Sequence, residues 1–295
     1  MSQKLSFSGH ESFYCKHFWL KKGYDFIKNN KKFSEDQAVV DLGVGKNMVS
    51  AISFWVKAFD IIDPDNTSGG YTTEIAKYLF SENGKDPFIE DIGSIWLLHY
   101  HLVQKERASI YNLVFNKFRL ERFEFTKMQL HNFLKRECQE NGAQYNKNTV
   151  DKDINVFLKN YVKPDAEKIN VEEDFVGLLM DLNLIQAYQR TGPDNKKVDW
   201  YKIESDERIE LPCQIVLYSI LNNENYGSSI SFRELLTEPN SPGLVFCLNA
   251  EGLHNKIEEI ANHYSDITFT ETAGNQVLQL NENKDKFEVL NDYYK

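Results

Sequence analysis

The amino-acid sequence predicts a mainly α protein with small β-hairpins, in which tandem winged-helix-like (helix-turn-helix) modules are joined by a helical core. Apolar residues recur at three- and four-residue intervals along most of the chain, the spacing that lines one face of a helix. Clusters of Gly, Asn, Asp and Pro interrupt these stretches between short apolar pieces, as tight hairpins require. A similar order of helix, turn, helix and two-stranded ribbon recurs. It places modules at residues 1–90, 91–205 and 206–295.

In the first module SEDQAVVDLGVGKNMVSAISFWVKAFDIID occupies residues 34–63. Ser34 is expected to cap a helix that ends near Leu42, because Gly43 suits a left-handed residue. A second helix is expected from Lys46 or Asn47, with Val49, Ile52, Val56 and Phe59 on its apolar face. Lys46, Asn47, Ser50, Ser53 and Lys57 fall on the other side, the polar and cationic surface of a recognition helix. DPDNTSGG then supplies turn residues for a small wing. An ordinary αα-hairpin shares this pattern and stands as the alternative.

The strongly apolar SIWLLHYHL predicts a buried helix that holds the modules together. His99 and His101 are two residues apart, so they face different sides and cannot share a metal. In the second module FTKMQLHNFLKREC reads as a helix. A following helix, capped by Asn148 or Thr149, turns Val150, Ile154, Phe157, Leu158 and Tyr161 inward and Lys147, Lys152, Asn155 and Lys159 outward. DFVGLLMDLNLIQAY is expected to be a helix running into a strand, and RTGPDNKK a hairpin turn before VDWYKI. In the third module LPCQIVLYSILNN, SFRELLTE and AEGLHNKIEEIANHY are helical patterns. DITFTETAGNQVLQL then alternates about Ala273-Gly274-Asn275 as a hairpin does. Glu251, Glu258 and Glu259 would repel phosphate, so this module is expected to serve protein contact or packing.

Charge follows the same division. The net charge of −10 argues against a nucleic-acid partner until its distribution is counted. Residues 1–62 carry nine Lys/Arg against six Asp/Glu, and residues 105–163 carry twelve against seven. Residues 206–295 carry six against fifteen. Polarised charge lets one face meet phosphate while another meets solvent or a basic partner. No apolar run approaches the roughly 20 residues that span a bilayer, and MSQKLSFSGH lacks the order of a signal peptide. Cys15, Cys138, Cys213 and Cys247 are scattered, as buried reduced thiols are. A cytoplasmic protein without a membrane partner is expected.

Enzyme signatures are not found: no phosphate loop, GxGxxG after a strand, GxSxG or HExxH occurs. The expectation is a non-enzyme with no cofactor. The densest chemistry lies in GHESFYCKHFWLKKG, residues 9–23. His10, Cys15 and His17 are metal-binding residue types, but their spacing matches no structural zinc pattern. His10 with Glu11 as an acid/base pair would require neighbours in sequence to converge on one substrate. The aromatic residues instead suggest a brace against the first helix-turn-helix, with His10 and Lys16 as candidate contacts to an anion.

FSGHESF, the Trp-Leu-Lys-Lys-Gly ending and DLGVGKNMVSAISFWVKAF resemble the bacterial DUF4007 family, as do SIWLLHYHL and TVDKDINVFLKNYV. The resemblance implies association with PAPS-reductase-like proteins, DNA-backbone sulfur modification (phosphorothioation) and phage defence. It transfers no catalytic residue. The expected function is that of a DNA-binding accessory or regulatory protein of such a system, with double-stranded DNA as partner and Asn47 able to read adenine. A PAPS-reductase-like or other defence-system protein is a further expected partner. A scaffold docking on a modification enzyme without touching DNA is the alternative.

Overall fold

The structure is a computed structural model that describes residues 5–63, 71–164, 177–192, 194–272, 274–281 and 284–295. It is mixed α and β, about 50% helical, with small antiparallel sheets. The chain divides into two units, Met1–Ile203 and Glu204–Lys295. The boundary expected at 90/91 falls inside the first unit, because buried helices from both sides of it share one core.

The first unit opens with α1 (Trp19–Lys28), α2 (Ala38–Leu42) and α3 (Lys46–Ala58). Gly43 ends α2 in the left-handed conformation at φ 62°, and α3 begins at Lys46. Ser34 is not a cap. Residues 33–37 make successive turns, with Glu35 N–H bonded to Lys32 and Ala38 N–H to Glu35, so helical bonding starts only at Ala38. Gly23 lets α1 approach α3, since a Cβ there would lie 2.4 Å from Val56 Cγ1. The short strands β1 (Ile62–Asp63) and β2 (Tyr71–Thr72) pair antiparallel. The turn expected between them lies outside the described residues. Next come α4 (Glu74–Phe80) and α5 (Ile92–Gln104). Trp96, Leu97, Leu98, His99, Tyr100 and Leu102 on α5 are wholly buried, so this helix is core on every side.

A continuous helical stretch follows as α6 (Ser109–Leu113), a π-helical turn (Val114–Phe118) and α7 (Arg119–Glu121). Then come β3 (Glu124–Phe125), α8 (Lys127–Glu140), α9 (Lys147–Tyr161), β4 (Gln186–Thr191) and β5 (Lys197–Lys202). The strand order is β3-β5-β4, antiparallel throughout. Thr126 and Gln129 close a capping box on α8. Asn146, not Asn148 or Thr149, caps α9: its side chain accepts from Thr149 N–H, and the helix starts two residues earlier than expected. The helix expected before β4 is only a 3₁₀ turn, Met180–Leu182, among the described residues. Asn183 stops it in the left-handed conformation at φ 49°.

The second unit runs α10 (Cys213–Leu221), β6 (Ser229–Ser231), α11 (Phe232–Thr237), α12 (Pro242–Val245), α13 (Ala250–His263), β7 (Ile267–Thr272), β8 (Asn275–Leu280) and α14 (Lys286–Tyr293). Its strands order as β6-β8-β7. Both three-stranded sheets therefore place the last strand between the other two. Each follows the sequence helix, strand, two or three helices, strand, strand. Leu253, Ile257 and Ile260 turn α13 inward. All four cysteines are free and buried.

Candidate nucleic-acid interface

On α3 the apolar face is buried as its spacing requires: Val49, Ile52, Trp55 and Val56 are core. Lys46, Asn47 and Ser50 are exposed near its start, while Ser53 and Lys57 are only half-exposed. The outward placement expected for those last two is thus only partly met, because the end of α3 sinks into the unit. Burial pushes the Lys57 ammonium below its ordinary pKa, and the Arg107 charge lowers it further.

The outer face of α9 is more complete. Lys147, Lys152, Asn155 and Lys159 are all exposed, and Val150, Ile154, Phe157, Leu158 and Tyr161 are buried. Asn148 joins them, so Asn148, Lys152, Asn155 and Lys159 lie within about 60° of the helix circumference over about 16 Å of its length. Among the described residues none of Lys147, Lys152 and Lys159 pairs with a carboxylate. The helix's two acids are engaged elsewhere. Asp151 accepts from His131 Nδ1 at 2.6 Å, and the other nitrogen of that ring lies 2.6 Å from the Tyr145 hydroxyl. Asp153 is buried on the opposite face. Arg136, by contrast, is held by Glu121 and Glu140, and Lys196 by Asp194 at 3.1 Å.

Asp153 explains the opening histidine cluster. The segment from Ser6 to Cys15 threads back onto the unit as a clasp. Ser6 N–H donates to Ser109 Oγ at 2.7 Å, and Cys15 N–H to Asn160 Oδ1 at 3.1 Å. Ser8 N–H donates to both Asp153 oxygens, and His10 Nε2 bonds Asp153 Oδ1. His10 Nδ1 accepts from Ser12 N–H at 3.1 Å, so both ring nitrogens are occupied. The ring stacks on Trp55, whose Nε1–H donates to Phe13 O at 3.0 Å. Ser8, Gly9, Glu11 and Ser12 all take positive φ, at 72°, 102°, 50° and 66°. This strained run is held by the bonds around it.

The expected anion contact at His10 is therefore corrected: the residue is 4% exposed and bonds inward. Lys16 is half-buried, with its ammonium 5.8 Å from the Trp19 ring centroid. Cys15 is buried and His17 bonds the Phe88 carbonyl at 2.7 Å, so the candidate metal ligands diverge. Among the described residues no three or more His, Cys, Asp or Glu converge on one point. His99 and His101 are also inward: His99 meets the Tyr161 hydroxyl at 2.9 Å, and His101 meets Asp60 at 3.1 Å.

Beside α9 a groove of about 670 Å³ opens toward β4 and β5. Lys127, Lys159 and Lys163 stand around it. Lys127 stands on the neighbouring helix α8, and Lys163, beyond the end of α9, was not singled out from sequence. In the second unit α13 carries the opposite charge: Glu251, Glu258 and Glu259 are exposed. Its Lys256 is buried against the Ile209 carbonyl and Glu259.

With this geometry in place, comparison with known proteins gives three findings. A family profile described as "Protein of unknown function (DUF4007)" matches residues 7–294. A magnesium ion-bound SspB crystal structure is 29% identical, with a TM-score of 0.82 over 98% of this chain and 88% of that one. A second SspB crystal structure is 28% identical, with a TM-score of 0.83 over the same shares. No curated protein matches the chain.

Proposed function

Since the chain belongs to the DUF4007 family, we propose that it is a DNA-binding accessory or regulatory protein of a bacterial DNA-modification (phosphorothioation-type) or phage-defence system. In this reading it acts by binding rather than by catalysis. The exposed amide-and-lysine face of α9 carries the proposal. Lysines that meet no carboxylate among the described residues suit phosphate, and the amide of Asn148 suits the paired donor and acceptor of adenine. We read the β3–α8–α9–β4–β5 arrangement as a winged helix with α9 as its recognition helix, and α10–α14 with its sheet as a second one. Lys46, Asn47 and Ser50 on α3 add a further contact to the backbone. Among the described residues no three or more His, Cys, Asp or Glu converge on one point, and the reading routes no step through the magnesium of the similar crystal structure.

The test is binding of duplex DNA across a series of salt concentrations. Affinity falls steeply with salt if lysine-bound phosphates release counterions. No binding at low salt, on plain or sulfur-modified duplex, would end the proposal.

The acidic outer face of α13 favours a second reading. There the protein is a scaffold that docks on a basic modification enzyme, such as a PAPS-reductase-like protein. Co-purification that survives nuclease and the loss of the α9 lysines would favour it.

A further inference from the structure

The groove beside α9 differs from the helix face in its composition. Its floor is apolar, built from Leu158, Met180, Ala187 and the buried ring of Tyr201. Lys127, Lys159 and Lys163 are among its lining residues; Lys127 Nζ bonds Asn155 Oδ1 at 2.7 Å and Lys163 Nζ lies 3.6 Å from Asp181 Oδ1. The volume of about 670 Å³ falls within the roughly 300–1,000 Å³ of small-molecule pockets.

Two amides in the lining are already turned by their neighbours. Lys127 Nζ donates to Asn155 Oδ1 at 2.7 Å, which leaves the Asn155 NH₂ as a donor. Gln189 Nε2 donates to Asp199 Oδ1 at 2.9 Å, which leaves the Gln189 oxygen as an acceptor. An amide donor and an amide acceptor in a groove lined partly by apolar side chains are the chemical types that meet the Watson–Crick edge and the face of a nucleobase. In a duplex that edge is paired and that face is stacked. Phosphate contact with a duplex would use the lysines and leave the floor without a role.

We infer that this groove holds an unpaired nucleotide of a DNA strand, its base on the apolar floor and its phosphates on the three lysines. The inference rests on the DNA-binding reading and deepens it, since it makes a locally opened or single strand the preferred substrate at this place.

The experiment compares a short labelled single-stranded oligonucleotide with its duplex by fluorescence anisotropy, on the full chain. Two variants outside the proposed duplex face are used. Ala187→Leu fills the floor at an exposed strand position, and Lys163→Glu reverses one charge of the rim. Each is expected to weaken single-strand binding about tenfold or more, with duplex affinity nearly unchanged. Retained duplex binding also reports that the variants are folded. The inference is overturned if the wild-type chain binds duplex but not single strand, or if single-strand binding ignores both substitutions. Equal loss on both substrates overturns it too, in favour of a seat for a duplex backbone. If neither DNA binds, the DNA-binding reading fails and this inference falls with it.

Discussion

Replacing Lys147, Lys152 and Lys159 together by Ala gives the sharpest measure of the α9 face. All three are exposed, so truncation removes charge with little loss of packing. If each neutralises one phosphate, the slope of log affinity against log salt becomes shallower by about 2.7. Between 50 and 200 mM salt the advantage of the wild-type chain over the variant would then shrink by about 40-fold. Titrations of one labelled duplex at four or more salt concentrations measure both slopes. A variant with weaker binding but an unchanged slope would refute the reasoning, because its loss would not come from phosphate contacts. A variant that binds as the wild type does would place the interface elsewhere.

Three further outcomes concern the scaffold under that face. Asp153→Ala leaves His10 and Ser8 N–H without their buried partner and should cost about 3 kcal/mol in chemical denaturation; a loss below about 0.5 kcal/mol would mean the clasp is not held there. Gly23→Ala drives a methyl group into Val56 and should destabilise by about 1–3 kcal/mol, read as a lower Tm. Burial raises the pKa of the Asp60 carboxyl, but the bonds and charges of His101 and Lys105 outweigh it and hold the group below its ordinary value. A depressed carboxyl contributes stability that is complete above the unfolded value near 3.9 and is lost as pH falls through the folded one. Asp60→Asn should therefore lower stability at neutral pH and flatten the acid limb of the stability–pH curve.

Much of the helical framework was legible because it depends on local rules. Gly43 marks the end of α2 by its conformational freedom, and the apolar spacing of Val49, Ile52 and Val56 gives the buried face of α3. The cationic face of α9 follows from the same periodicity. What escaped depends on partners far away in sequence. Asp153 stands in the inward stripe of α9 between Val150 and Phe157, and a buried acid demands a partner. That signal was present, but nothing local identifies His10, 143 residues away, as the answer. The groove was equally hidden, since Lys127, Lys159, Lys163 and Gln189 meet only after α8, α9 and β4 have packed. At β3, two residues are too few to display an alternation. Ser34 shows the reverse error, a good capping residue at a place where the backbone makes turns instead of a helix.

The clasp also sets an order of events during synthesis. Its bonds join Ser6 to Ser109, Ser8 to Asp153 and Cys15 to Asn160, up to 145 residues apart. At ordinary elongation rates of about 5–20 residues per second, about 7–30 s pass between the making of the first partner and the last. Once Ala58 is made, α1 to α3 can assemble, but the Ser6–Cys15 segment that lies against Trp55 still lacks Ser109, Asp153 and Asn160, which pin it. The nascent α1–α3 segment thus presents Trp55 before the Ser6–Cys15 segment can be fixed over it, which makes this interval the chain's window of exposure to chaperones and to aggregation.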